Sequence, residues 1–240
     1  MTSSATPAPA TSLLAADRSA VDTHTDLLLA TVRALDPAQV GAPSLCEGWT
    51  KGHVLAHISR NADALLNLVT SAVTGEVVPM YASAAARDVD IEAGARRPLD
   101  EQVADLETSA ARLGAASQGL TDDLADHTVT ARNNVVVRVG ALPFMRLREV
   151  VYHHVDLGSG FGFDDVDATL ALRFVEEQVR RLRLNRETPS MTIRTDEGDA
   201  WTIGDGELAV SGSRSAVLAW LARGTTDDLV GELPTLPFGG

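Results

Sequence analysis

The chain has 240 residues, of which 45% are hydrophobic; this is enough to bury a full core and excludes disorder of the whole chain. Its formal net charge of -13 repels phosphate backbones and anionic membrane surfaces, so neither nucleic acid nor a membrane is expected as a partner. The single cysteine, Cys46, excludes an intramolecular disulfide framework, and the absence of an apolar export signal or spanning stretch favours a soluble, cytoplasmic protein.

The first predicted element is a long amphipathic helix. It follows a leader at 1–10 whose Ser, Thr, Ala and Pro content predicts disorder. Leu14, Val21 and Leu28 recur at sevenfold spacing, which is typical of the apolar stripe of a helix. Pro37 is expected to end this helix, because proline cannot continue one.

Two further helices follow in the first half of the chain. The second is predicted to begin at Lys51, where the Thr50 hydroxyl can act as the N-cap, and to end at Gly75. The polar passage after Gly75 lacks helical periodicity and is expected to be irregular. A third amphipathic helix is then predicted from Pro98.

The next segment predicts a small hairpin and a fourth helix. A weak alternation between Thr128 and Val139 indicates the hairpin. The helix is predicted from about Pro143 to Leu157, with Gly158 in the left-handed conformation that often follows a helix. Four helices with longer connections between them are typical of a helix bundle.

The last third of the chain has a different pattern. Short strand-like runs lie between two helices, which predicts a small α/β domain. The predicted helices cover 167–184 and 213–223, and the predicted strands cover 191–194, 200–203 and 207–210. The predicted fold class is therefore α+β, with a four-helix bundle at 11–160 and a small α/β domain at 161–240.

Glu149 and His153 are the first residues that suggest chemistry. They lie four positions apart on the fourth helix, so they share one face and have the spacing of metal ligands. The alternative is an ordinary helix ion pair. A third ligand has to come from another helix, and the second helix offers His53 and His57. His57, one turn further along, fits a buried hydrogen-bonded histidine or an outer-shell group.

Other candidates lie on the fourth helix. Asp156 follows His153 by three residues and can orient a ligating imidazole. Arg146 is a candidate cation for the site. His154 points about 100° away from His153, which favours a packing role. The roles of His57, His154 and Asp156 stay open at this point.

Several stretches of the chain are similar to one enzyme family. The chain resembles mycothiol-dependent maleylpyruvate isomerases in four stretches. They are EGWTKGHVLAHISRNADALLNLV, TGEVVPMYASAAARDVDIEAGARR, MRLREVVYHHVDLG and VSGSRSAVLAWLARG. The resemblance implies a DinB-like four-helix bundle followed by a small α/β domain. It also implies a monomer that binds a small-molecule substrate and the thiol cofactor mycothiol.

The same resemblance implies a set of site residues. A divalent metal, usually zinc in that family, would be held by His53, Glu149 and His153. Arg223, near the end of the last helix, matches an arginine implicated in activity. Arg87 occupies a family-like position and, with Arg146, is expected to bind the cofactor.

The activity implied is the isomerisation of maleylpyruvate to fumarylpyruvate, a step of gentisate-type aromatic degradation, through a thiolate held at the metal. A mycothiol S-transferase would instead conjugate an electrophilic small molecule through the same metal-bound thiolate. A metal-dependent hydrolase would hold water at the open coordination position. A non-catalytic sensor is disfavoured, because the three predicted ligands are intact.

Overall fold

Residues 12–237 are described by the structure, which is a computed structural model. Two compact units are present: residues up to 44 together with 48–153, and residues 45–47 together with those from 154 onwards. The predicted leader at 1–10 lies outside the described residues. The change of unit falls within a helix, so the predicted limits at 160 and 161 stay a prediction.

Residues 12–237 contain seven α-helices, six strands and several short 3-10 helices, joined by loops. The helices are α1 (Leu13–Arg33), α2 (Lys51–Thr74), α3 (Ala84–Ala95), α4 (Leu99–Ser117), α5 (Leu142–Asp156), α6 (Ala168–Leu184) and α7 (Arg214–Arg223). The strands are β1 (Thr128–Thr130), β2 (Val136–Arg138), β3 (Met191–Thr195), β4 (Ala200–Ile203), β5 (Leu208–Gly212) and β6 (Val230–Gly231). The predicted α+β class is confirmed.

The core of the first unit joins the four helices that the sequence predicts, α1, α2, α4 and α5. Their apolar stripes meet in one cluster of buried side chains, which also takes in the antiparallel β1–β2 hairpin. Members of the cluster are Leu14, Leu65, Leu68, Leu113 and Leu142. Burial of these stripes in one core holds α2 and α5, the two helices of the predicted metal site, in the same bundle.

The ends of the helices follow the signals in the sequence. The Thr50 hydroxyl accepts a hydrogen bond from the His53 amide at 3.3 Å, which makes Thr50 the N-cap of α2. Gly75 and Gly158 have φ angles of 75° and 56°, a left-handed conformation that costs glycine little. The predicted limits of α2 are therefore confirmed.

Helix α3 lies where the sequence predicts irregular structure, and that prediction is wrong. The Ser83 hydroxyl accepts a hydrogen bond from the Ala86 amide at 3.0 Å and starts the helix. Only Ile91, Gly94 and Ala95 of α3 are buried, because the helix packs on α2 through one narrow face. So short a stripe does not produce a detectable helical period.

The close approach of α2 to the end of α3 requires a residue without a side chain at position 52, which is Gly52. An added Cβ would meet the carbonyl oxygen of Ala95 and lie 3.0 Å from Val40 Cγ1. We expect Gly52→Ala to lower the free energy of unfolding by about 1–3 kcal/mol, because the backbone has to move. Denaturant unfolding measures this loss.

Gly114→Ala is the matched control for Gly52→Ala. Gly114 lies within α4, and nothing lies within 4 Å of a Cβ added there. We expect this change to leave stability unchanged or to raise it by about 0.5–1 kcal/mol, since alanine favours the helix. A loss of the same size in both variants would contradict the close approach of α2 and α3.

The second unit is built on a four-stranded sheet in the order β4-β3-β5-β6. β3 and β5 are parallel, whereas the other neighbours are antiparallel. α6 packs against α7, which also contacts β3 and β5. The predicted small α/β domain is thereby confirmed. β6 was not predicted from the sequence, because two residues cannot show an alternating pattern.

Candidate metal centre

Three side chains of the first unit converge where α2 and α5 meet. His57 Nε2 lies 3.1 Å from Glu149 Oε2, and His153 Nε2 lies 3.6 Å from the same oxygen. One potential ligand atom from each residue lies within 4.8 Å of the other two. Two imidazoles and one carboxylate are a common donor set of catalytic zinc sites. The three residues can therefore hold a divalent metal.

The helices explain why these side chains meet. Glu149 and His153 are one turn apart on α5, so both project from the same face. His57 lies on the face of α2 that carries the fully buried Val54 and Ile58, and only 8% of its side chain is exposed. The rings of His57 and His153 meet edge to face, with their centroids 4.5 Å apart.

The pKa values of His57 and Glu149 are shifted in the directions that favour metal binding. Burial lowers the pKa of His57 from its usual value, which favours the neutral ring. Burial by itself would raise the pKa of Glu149, but hydrogen bonds with His153 and His57 hold that pKa well below its usual range. A neutral imidazole and an ionised carboxylate are the forms that bind metals.

His53 lies outside this group. Its Nε2 lies 3.0 Å from Glu92 Oε2, and its Nδ1 lies 2.7 Å from the Thr50 hydroxyl. As the third residue of α2, His53 turns back towards the N-cap, which is usual for that position. The structure thus brings together two of the three predicted ligands, Glu149 and His153, and puts His57 where His53 was expected.

Arg87 lies beside the centre. Its Nη2 lies 3.2 Å from His57 Nδ1, and its Nη1 donates a hydrogen bond to Asp88 Oδ1 at 2.8 Å. The guanidinium carbon lies 6.0 Å from the centroid of the Tyr81 ring, a cation–π distance. Trp49 packs against His57 with ring centroids 5.4 Å apart. Sequence reasoning did not single out Trp49 or Tyr81, because isolated aromatic residues carry no spacing signal.

Arg146 lies in the interior of the bundle and not on an open face of the site. Its Nη1 donates to the Ile58 carbonyl and to Asn61 Oδ1, both at 2.8 Å, and so ties α5 to α2. Burial lowers the pKa of Arg146 to about 10, which leaves the side chain charged at neutral pH. This placement favours support of the α2–α5 contact over direct binding of a cofactor.

Two other candidates, Asp156 and Arg223, pair with each other in the second unit. Arg223 Nε and Nη2 donate to the two carboxylate oxygens of Asp156 at 2.7 and 2.8 Å. Asp156 is fully buried, so the bidentate pair holds the end of α7 against the end of α5. His154 is also buried, and its ring stacks on Phe161 at 3.9 Å. These contacts give Asp156 a partner other than a ligating imidazole.

Comparison with known proteins identifies the family. Residues 21–158 match the family model described as the mycothiol maleylpyruvate isomerase N-terminal domain. The chain belongs to this family. Its fold is similar to the crystal structures of the mycothiol-dependent maleylpyruvate isomerase and of a histidine-to-alanine mutant of it. Each is 28% identical, has a TM-score of 0.87, and aligns over 95% of this chain and 99% of that chain. No curated protein matches the sequence.

Membership of the mycothiol maleylpyruvate isomerase family confirms the resemblance seen in the sequence motifs. The chain is an enzyme of this family or a closely related thiol-dependent enzyme. The matched region, 21–158, contains His57, Glu149 and His153. Among the described residues, no helix is both long and apolar enough to cross a membrane.

Proposed function

We propose that this chain is a metal- and mycothiol-dependent cis–trans isomerase that converts maleylpyruvate to fumarylpyruvate. Membership of the family and the likeness to two solved isomerase structures support the proposal. The observation that carries it is the convergence of His57, Glu149 and His153, because a divalent metal held by three side chains keeps one coordination position free for a thiol.

We propose His57, Glu149 and His153 as the metal ligands, with His57 replacing the expected His53. The donor atoms fit a divalent metal in number, chemistry and protonation state. Three protein ligands leave a coordination position open. When bound, the metal, zinc by family resemblance, and mycothiol would supply a thiolate that adds to the cis double bond and leaves again after rotation.

The residues around the centre bind and orient the substrate. Maleylpyruvate carries two carboxylates, and negative charge develops on its carbonyl oxygen when a nucleophile adds to the double bond. The protein is acidic overall, so the site needs a local cation to bind a substrate carboxylate. Arg87, which contacts His57, is such a cation. Trp49 packs against the His57 ring at a tilt of 58°. Arg223 is proposed as a catalytic residue on the resemblance alone.

An assay with defined components tests the proposed function. Zinc-loaded protein, maleylpyruvate and mycothiol are combined with each component omitted in turn, and chromatography identifies the product. We expect fumarylpyruvate only in the complete mixture. Glu149→Gln is expected to lose at least about 100-fold in activity, because a ligand carboxylate is more important than the outer-shell groups whose loss costs roughly 10–100-fold.

Glu92→Gln is the control for Glu149→Gln, because Glu92 is an exposed carboxylate that binds His53 and not the proposed ligands. It should keep activity close to that of the unmodified protein. Turnover without mycothiol would contradict the proposal. Failure of metal-loaded protein to turn over maleylpyruvate would also contradict it, and electrophiles would then be assayed for the S-transferase alternative.

A further inference from the structure

The hydrogen bond between Arg87 and His57 cannot persist when His57 binds a metal. From this, and resting on the proposed function, we propose that metal binding releases Arg87 from His57 and makes it available to a carboxylate of the substrate. Substrate anion and metal then bind in a coupled manner, with Arg87 as the residue that links them.

The hydrogen bonds assign the tautomer of His57 in the described arrangement. A guanidinium has donors only, so His57 Nδ1 accepts from Arg87 Nη2 across 3.2 Å. A neutral imidazole then carries its proton on Nε2, which donates to Glu149 Oε2 at 3.1 Å. Arg87, His57 and Glu149 thus form a directed chain of donors and acceptors.

A metal at this centre reverses the tautomer. His57 Nε2 is the ring nitrogen that faces Glu149, so it is the atom that would coordinate the metal. The neutral ring gives up its proton at Nε2 and carries one at Nδ1 instead. Nδ1–H and the Arg87 N–H are then both donors that face each other. Their hydrogen bond is lost, and the two like dipoles repel.

Arg87 keeps contacts with Asp88 and Tyr81 once this bond is broken. Its other carboxylate contact, Asp88, is 66% exposed, so the pair contributes little. The Tyr81 ring still lies under the guanidinium and keeps it near the centre. Only 14% of the Arg87 side chain is exposed, and a cation so placed gains from a carboxylate acceptor. A dicarboxylate substrate supplies that acceptor.

The zinc affinity of the Arg87→Gln variant tests whether metal binding releases Arg87 from His57. The variant removes a cation close to the metal, and the amide oxygen of glutamine can accept a hydrogen bond from His57 Nδ1–H. We expect zinc to bind roughly tenfold more tightly than to the unmodified protein, measured by competition with a chelator. Arg132→Gln is the charge-matched control, since Arg132 acts on Tyr81 at longer range, and its zinc affinity should be unchanged.

Unchanged or weaker zinc binding by Arg87→Gln would contradict the proposed release of Arg87 from His57. If the unmodified protein bound no zinc, the proposed function itself would fail, and the two failures are therefore distinguishable. A second measurement needs no variant: ¹⁵N NMR of the histidine side chains in the full chain. We expect His57 Nδ1 to be unprotonated without zinc and protonated with it. An unprotonated Nδ1 in the zinc-loaded protein would overturn the proposal.

Succinate, a simple dicarboxylate, tests whether the released Arg87 binds a carboxylate of the substrate. Titration calorimetry compares its binding to the zinc-loaded protein and to zinc-loaded Arg87→Gln. We expect the variant to bind succinate about tenfold more weakly, although its zinc is bound more tightly, because a charge-assisted hydrogen bond is lost. By reciprocity, succinate should also raise zinc affinity more in the unmodified protein than in the variant. Equal succinate affinities would show that the metal alone binds the anion.

Discussion

His57→Ala is expected to lose stoichiometric zinc, whereas His53→Ala is expected to keep it. Of these two histidines, His57 is the one with a ring nitrogen within 4.8 Å of donor atoms of both Glu149 and His153. His53 is engaged by Glu92 and Thr50 instead. Loss of a ligand should reduce zinc affinity by more than the roughly 10–100-fold that loss of an outer-shell partner costs. Elemental analysis after gel filtration, followed by chelator competition, measures the two variants.

The two histidines are a well-matched pair, because they lie one turn apart on the same helix. His53→Ala should lose the contacts with the N-cap and with the exposed Glu92, a cost of about 0.5–1 kcal/mol in the free energy of unfolding. Zinc lost from His53→Ala but retained by His57→Ala would restore the ligand set that the family resemblance implied. Circular dichroism confirms that each variant is folded before its zinc content is compared.

Arg223→Ala is expected to destabilise the protein by about 3–5 kcal/mol, irrespective of any role in catalysis. Asp156 is fully buried, and Arg223 satisfies both of its carboxylate oxygens. Removal of the arginine takes the bidentate cationic partner away from a buried carboxylate. Denaturant unfolding of the second unit measures the loss. The exposed pair of Arg138 and Asp126 is the control, and Arg138→Ala should cost less than about 1 kcal/mol.

A double variant separates the buried charge from the packing of the arginine. We expect Asp156→Ala combined with Arg223→Ala to be more stable than Arg223→Ala, because the buried carboxylate is then removed together with its bidentate partner. A double variant less stable than Arg223→Ala would contradict this account. Activity of Arg223→Ala is informative only under conditions in which the variant stays folded. A lower kcat at unchanged KM in that folded variant would support the proposed catalytic role.

Local features of the fold followed from the sequence. The helical period gave the limits of the helices that carry the core, and Thr50 and Gly75 marked the ends of α2. Helix α3 escaped detection because only one narrow face of it is buried. Leu27 of α1 is 44% exposed, since periodicity shows which residues share a face of a helix but not how wide the buried face is.

The pairing of Glu149 with His153 follows from local sequence, because a helix places residues four apart on one face wherever that helix lies. The choice between His53 and His57 depends on tertiary packing. Both have helical spacing, and the choice depends on which turn of α2 faces α5. The partner of Asp156 was decided in the same way, since Arg223 is 67 residues away along the chain. Long-range partners are set by the packing of elements, which no local pattern encodes.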